Sequence, residues 1–151
     1  MPALSKELAD ALYNHILRNV TFASPTTVYL ALHDSGGGVP AHPGKTAAAA
    51  FANEVDYTSY QRQAITFGAP GGDNIAEGSN SSAFSYPEVD GGTTPFDVTG
   101  LSLWTAERGA TVGESGTLLL AGPVDDVKDF SPGDSPLIGE GATEAAFGDD
   151  S

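Results

Sequence analysis

The sequence contains no cysteine. That excludes a disulfide-stapled fold, thiolate metal sites and a cysteine nucleophile, and it leaves the redox compartment open. Cations are scarce as well. Lys6, Lys45, Lys128, Arg18, Arg62 and Arg108 make up all 6 lysines and arginines, against 20 acids, for a formal net charge of −14. Twenty acids in 151 residues is an ordinary share, so the imbalance is a shortage of bases. Such a surface repels phosphate and disfavours both nucleic-acid binding and docking on an anionic membrane. An acidic, lysine-poor surface suits a protein of a halophilic host, and equally a soluble shell protein in a crowded assembly. No apolar run approaches the roughly 20 residues that span a bilayer, and no signal peptide is expected. No internal repeat or Ser/Gly-rich linker divides the chain.

What is present points to a mainly β chain. The length suggests a single domain over 1–151, large enough to bury a real core. The 19 glycines and 10 prolines argue against a helical bundle and for short strands joined by turns. One clear helix is expected over 4–19, where Leu4, Leu8, Leu12 and Ile16 repeat at i, i+4 with Ser5 as N-cap. His15 sits near that apolar stripe and reads as a packed, hydrogen-bonded side chain. Period-two alternation predicts strands over 26–33, 59–67, 81–89 and 96–105, and a near-continuous apolar strand over 117–124. Within 96–105, Leu101 and Leu103 should face the core. Trp104, on the opposite face, should cover a second layer or meet a partner. Residues 34–45 read as a long Gly/Pro loop. Residues 47–55 read as a mobile loop or single turn despite their alanines, and 107–116 as a turn or loop. The β domain is expected over about 25–139, followed by an acidic tail over about 140–151; 139–151 carries a weak strand signal and an exposed acidic end. The expected fold is an antiparallel β-sandwich or jelly-roll-like barrel with one N-terminal α-helix.

Catalytic and metal-binding patterns are weak. Gly133-Asp134-Ser135 matches the serine-protease tripeptide, but Pro136 follows where the oxyanion loop needs glycine. Gly113-Glu114-Ser115-Gly116 lacks the spacing of a nucleophile elbow. His33, Asp34 and His42 could bracket a zinc ion, although a glycine loop does not preorganise ligands. Asp125, Asp126 and Asp129 lack the calcium-loop pattern and read as a solvated acidic face. No Walker loop is present. Asn19-Val20-Thr21 and Asn80-Ser81-Ser82 form glycosylation sequons. No catalytic, cofactor or metal residue is therefore assigned, and the chain is not expected to be an enzyme. Arg62, inside a strand and surrounded by acids, is expected to form a structural ion pair.

The order of segments resembles a family of small tailed-phage virion proteins, often labelled phage tail fibre proteins. Pro25 to Leu32, with Tyr29 among them, match a "PTTVYVALFT" segment. Glu54, Val55, Ser59, Tyr60, Arg62, Gln63, Ala64, Phe67 and Gly68 match an "EV…SYARQAVTFG" segment. Gly116, Leu118, Leu119, Gly122, Val127, Gly133 and Asp134 match the closing hairpin. The likeness covers most of residues 5–143. It departs at His33, at Leu103-Trp104, in an insertion over 36–52 and in the tail beyond 143. The resemblance implies a structural protein of a tailed virus particle, most simply a capsid decoration (cement) protein on an HK97-like shell. The alternative is a tail, fibre or turret component that touches the host surface or its glycans. Implied partners are the major capsid protein, other virion proteins and further copies of the chain, as a trimer or pentamer, with no nucleic acid and no membrane. The implied location is the outer surface of the virion, assembled in the host cytoplasm. No cofactor is expected beyond a divalent cation at an interface.

Overall fold

A computed structural model describes residues 3–34, 46–71 and 76–147. In chain order the elements are β1 (Ala3–Leu4), α1 (Lys6–Arg18), β2 (Val28–Asp34), α2 (Ala47–Ala52), β3 (Gln63–Ile65), β4 (Ala76–Ser79), β5 (Phe84–Ser85), β6 (Phe96–Trp104), β7 (Leu118–Phe130), β8 (Leu137–Ile138) and β9 (Glu144–Phe147). Five strands form one antiparallel sheet in the order β1-β7-β6-β2-β3, and two short ladders, β4–β9 and β5–β8, stand apart from it. The chain is mainly β with one N-terminal helix, as expected; among the described residues no barrel closes.

Alternation sorts the central strands into two buried faces. Leu30 and Leu32 of β2 pair with Leu103 and Leu101 of β6, so four leucines share one face. That face joins Leu8, Ile65, Leu119 and Leu120, with Phe84, Ile138 and Ala145 of the short ladders packed against it. The ladders thus form a second layer, in the manner of a sandwich. The opposite face carries Ala31, Trp104, Leu118 and Ala121, and α2 closes it through Ala50. The small side chains let the helix approach a tryptophan that is 0 % exposed. Trp104 therefore lies opposite Leu101 and Leu103 and covers a second layer within the chain itself. A third cluster of Tyr57, Tyr60, Tyr86, Val89 and Phe96 fills the far end of the leucine face. There Tyr60 stacks on Tyr86 at 5.9 Å and Tyr57 on Phe96 at 5.8 Å.

Several boundaries differ from the sequence reading, each for a physical reason. Helix α1 begins after Ser5, whose hydroxyl accepts the Leu8 N–H at 3.0 Å, because Ala3–Leu4 instead pairs with Leu120 and Ala121. Residues 47–52 are helical rather than a loop. Thr46 gives no side-chain cap, and the Glu7 carboxylate of α1 accepts the Ala47 N–H at 2.9 Å in its place. The strands expected over 59–67 and 81–89 shrink to three and two residues, since their flanks bond to turns and side chains. Conversely, β7 runs on through Pro123 to Phe130. Strand β9 takes up the weak strand signal of the acidic tail, while residues 148–151 lie outside the described residues. His15 is hydrogen-bonded to the Val20 carbonyl but exposed rather than packed.

Candidate functional site

The densest polar cluster is buried and fully engaged. Glu54 follows α2, and Arg62 lies just before β3; both side chains are 0 % exposed. Arg62 Nε and Nη2 donate to Glu54 Oε1 and Oε2 at 2.8 and 2.7 Å, a two-pronged fork. Its Nη1 donates to the Ala106 and Ser115 carbonyls at 3.1 and 2.8 Å, and its Cζ lies 3.9 Å from the Trp104 ring centroid. The Tyr60 hydroxyl donates to Glu54 Oε1 at 3.0 Å and accepts the Leu32 N–H at 3.1 Å. Burial first, then the Glu54 charge, pushes the Tyr60 phenol well above its ordinary value. This arrangement has no open side for a substrate. It ties the loop after α2, β3 and the β6–β7 connection to the tryptophan face, as the expected structural ion pair.

His33 stands on the same face. The Trp104 Nε1–H donates to the Ser102 hydroxyl at 2.7 Å, and the same hydroxyl is hydrogen-bonded to His33 Nε2 at 2.6 Å. Burial lowers His33 to about 4, with the backbone of Asn53 pulling the other way and the Arg62 charge adding to the depression. A neutral, 0 % exposed imidazole bonded to a serine is a core residue. Its proposed zinc partner His42 lies outside the described residues, and among those described no group of three His, Asp or Glu side chains could hold a metal ion.

The other singled-out residues sort the same way. Tyr29 pairs with Trp104 and Ala64 in the sheet, Phe67 bridges to Asn80, and Gly122 pairs with Leu101. Gly133, at φ +93°, and Asp134 form a turn in which the Asp134 carboxylate accepts the Ser131 N–H at 2.7 Å. The Gly133 N–H bonds the Val89 carbonyl, and the Asp134 carbonyl accepts the Val89 N–H. Of the positions that carry the family resemblance, Glu54, Tyr60 and Arg62 converge on one network. Ser115, of the failed elbow, is buried, with its hydroxyl donating to the Thr111 carbonyl. The Asn80 amide is consumed by Ser82, Gly139 and Thr143, so that sequon is not an accessible acceptor. Asp125, Asp126 and Asp129 are exposed on β7, and Glu140 and Glu144 are exposed beyond it. Asp149 and Asp150 lie outside the described residues.

Two surface features carry more than any side-chain cluster. The first is a cleft of about 630 Å³ between the leucine face and the segment 136–145. It exists because the β6–β7 ladder breaks register. Val98 pairs with Lys128 and Gly100 with Pro123, so Thr99 alone faces the four residues 124–127. That excursion forms one wall. Leu30, Leu101, Leu103 and Leu120 line the cleft, with Asp125, Asp126 and Glu144 among its charged groups. The second is the tip of α1. Leu8 is buried and Leu4 and Leu12 are half-buried, but Ile16 is 71 % exposed, with Tyr13, Leu17 and Val20 beside it. The tip is well capped, with Asn19 left-handed and the Val20 N–H on the Asn14 carbonyl at 3.1 Å. The sequence reading found one stripe and missed this second one, although Tyr13, Ile16 and Leu17 stand at i, i+3, i+4. Nothing in the sequence signalled the cleft, because a register break is a property of two strands together.

A family model described as Podophage GP4 fiber I protein gp80 matches residues 3–145. No curated protein matches the chain. The match spans β1 through the first half of β9 and takes in both the buried Arg62–Glu54 pair and the two surface features. The chain belongs to this phage fibre protein family, and is accordingly a structural component of a tailed-phage virion.

Proposed function

We propose that the chain is a fibre subunit on the outer surface of the particle, assembled in the host cytoplasm, acting without catalysis and binding both other virion proteins and further copies of itself. The family match over residues 3–145 carries this reading. The buried network supports it, since every strongly interacting polar group described above serves packing. A divalent cation would bind only where a neighbouring copy completes the ligand set, because the exposed carboxylates do not converge in threes among the described residues. A second reading, a decoration protein on an HK97-like capsid shell, draws on the described body being one five-stranded antiparallel sheet with two short ladders, with no fibrous repeat in the sequence. Immunogold labelling of purified virions, together with copy number from a stained gel, tests both. Label confined to the tail with few copies supports the fibre subunit. Label over the whole head with hundreds of copies supports decoration, and absence from virions overturns both.

A further inference from the structure

Six large hydrophobic side chains are strongly exposed among the described residues, and they fall in two places. Tyr13, Ile16, Leu17 and Val20 form the convex tip of α1. Val127 sits on the β7 excursion that walls the cleft, and Leu137 lines the cleft itself. Tyr13, Ile16 and Leu17 have the i, i+3, i+4 spacing of a helix that seats in an apolar groove, and Val20 lies just past the Asn19 cap. In the 630 Å³ cleft Leu30, Leu103 and Leu120 are buried in the floor, and the apolar surface left open is that of exposed Leu137 with half-buried Leu101, Val124 and Ile138. Covering that surface with apolar side chains is favourable.

Charge selects the occupant. Lys6 pairs with Asp10, Arg62 with Glu54, Arg108 with Asp56 and Lys128 with Asp126. Among the described cations Arg18 alone has no carboxylate partner, bonding only the Asn14 side chain at 2.9 Å. It stands on the exposed tip of α1. The cleft carries Asp125, Asp126 and Glu144 against a single Lys128 that Asp126 already engages. A convex apolar tip with a free cation and a concave apolar cleft with surplus acid are complementary, and one chain carries both.

The geometry points to the α1 tip of one copy seating in the β7–β8 cleft of a second copy of this chain. The inference rests on the self-association reading above and supplies its interface. The two surfaces differ, so the contact is head-to-tail: it closes as a reciprocal pair or a ring, or else propagates. Half of a 13-residue helix otherwise stands without support, at a length where isolated helices are marginal.

Complementation between two interface variants tests it. Ile16→Asp/Leu17→Asp disables the tip and leaves the cleft intact. Leu137→Asp disables the cleft mouth and leaves the tip intact. All three side chains are exposed, and circular dichroism with thermal melting checks that each variant folds. By sedimentation or light scattering of the full chain, wild type should self-associate, and each variant should do so at least about 100-fold more weakly. A 1:1 mixture of the two variants should form a dimer that grows no further, because one intact tip–cleft pair remains. A wild type that stays monomeric at high protein concentration overturns both the self-association reading and this interface. An oligomer unaffected by the cleft variant, or a mixture that stays monomeric, overturns the interface alone. The first of these results would mean that tips pack on tips.

Discussion

Replacing Arg62 by methionine keeps the aliphatic stem and removes four hydrogen bonds, to both Glu54 oxygens and to the Ala106 and Ser115 carbonyls. Glu54, its side chain fully buried, would keep only the Tyr60 hydroxyl as a direct donor, with Arg108 Nε 3.8 Å away. Stranding one member of a buried ion pair costs about 3–5 kcal/mol. Losing the guanidinium over Trp104 adds about 1 kcal/mol. Arg108 is near enough to offset part of this, so about 3–5 kcal/mol in all is the expected loss. Against the ~5–15 kcal/mol typical of a folded domain, that is a large fraction. Glu54→Leu should cost a similar amount by stranding the guanidinium. The Glu54→Leu/Arg62→Met double variant leaves no uncompensated charge, and should be more stable than the sum of the singles implies by about 2–3 kcal/mol. Urea unfolding gives all four corners of the cycle. Trp104, the single tryptophan, reports by fluorescence, and far-ultraviolet circular dichroism serves as a probe independent of the altered ring environment. Strictly additive single effects, or an Arg62→Met protein within about 0.5 kcal/mol of wild type, would refute the argument that this pair holds the tryptophan face together.

Three further outcomes are expected. His33 is held at about 4, below its ordinary 6.5, so the unfolded chain binds more protons in that window, and stability should fall as pH drops from about 6.5 to 4; the loss is about 3 kcal/mol, and a His33→Gln variant should lack that part of the slope in pH-dependent urea titrations. Asp97 faces Asp129 directly across the β6–β7 ladder, and the hydrogen bond to Asp129, then its charge, holds the Asp97 carboxyl above its ordinary value. Its contribution is present at low pH and lost as pH rises through the raised value, so Asp129→Asn should raise the melting temperature at pH 7 and not at pH 3. Self-association should tighten between 10 mM and 1 M NaCl, as the screening length falls from roughly 30 to 3 Å between copies of charge −14. Loosening with added salt would mean that attractive ion pairs dominate the contact, and a requirement for calcium or magnesium would mean that carboxylates are bridged rather than screened.

The elements that could be read from the sequence are those whose signal is local. The β2 and β6 faces follow from alternation, and Ser5 announces the start of α1 because a cap needs only the next turn. Arg62 was legible as a structural cation because a lone arginine in a strand among 20 acids has few other roles. Its partner was not legible, since nothing local separates Glu54 from nineteen other acids. Helix α2 was misread because its support is remote: Glu7 caps it from 40 residues away, and the small side chains around Trp104 receive it. The polar run from Asp125 to Asp129 hid the far half of β7. A strand in a two-stranded ribbon needs no buried face, so hydrophobic periodicity cannot reveal it.

The scarcity of cations connects the fold to assembly. Arg62 and Arg108 are spent on Glu54 and Asp56 around the Trp104 face, and Lys6 and Lys128 on neighbouring surface acids. What the surface then offers a partner is surplus acid, which repels another copy at every approach. At about 10 Å in water each like-charged pair costs roughly 0.4 kcal/mol before screening. One exposed Arg18–carboxylate pair returns only about 0.2–1 kcal/mol. Charge therefore cannot supply the affinity between copies, although it can decide which orientations survive, because most approaches are penalised and the one that brings Arg18 to the acid-rimmed cleft is penalised least. The affinity must come from apolar burial, and the described surface concentrates its exposed large hydrophobics in two places of opposite shape. A cation-poor chain that packs against itself has to use them.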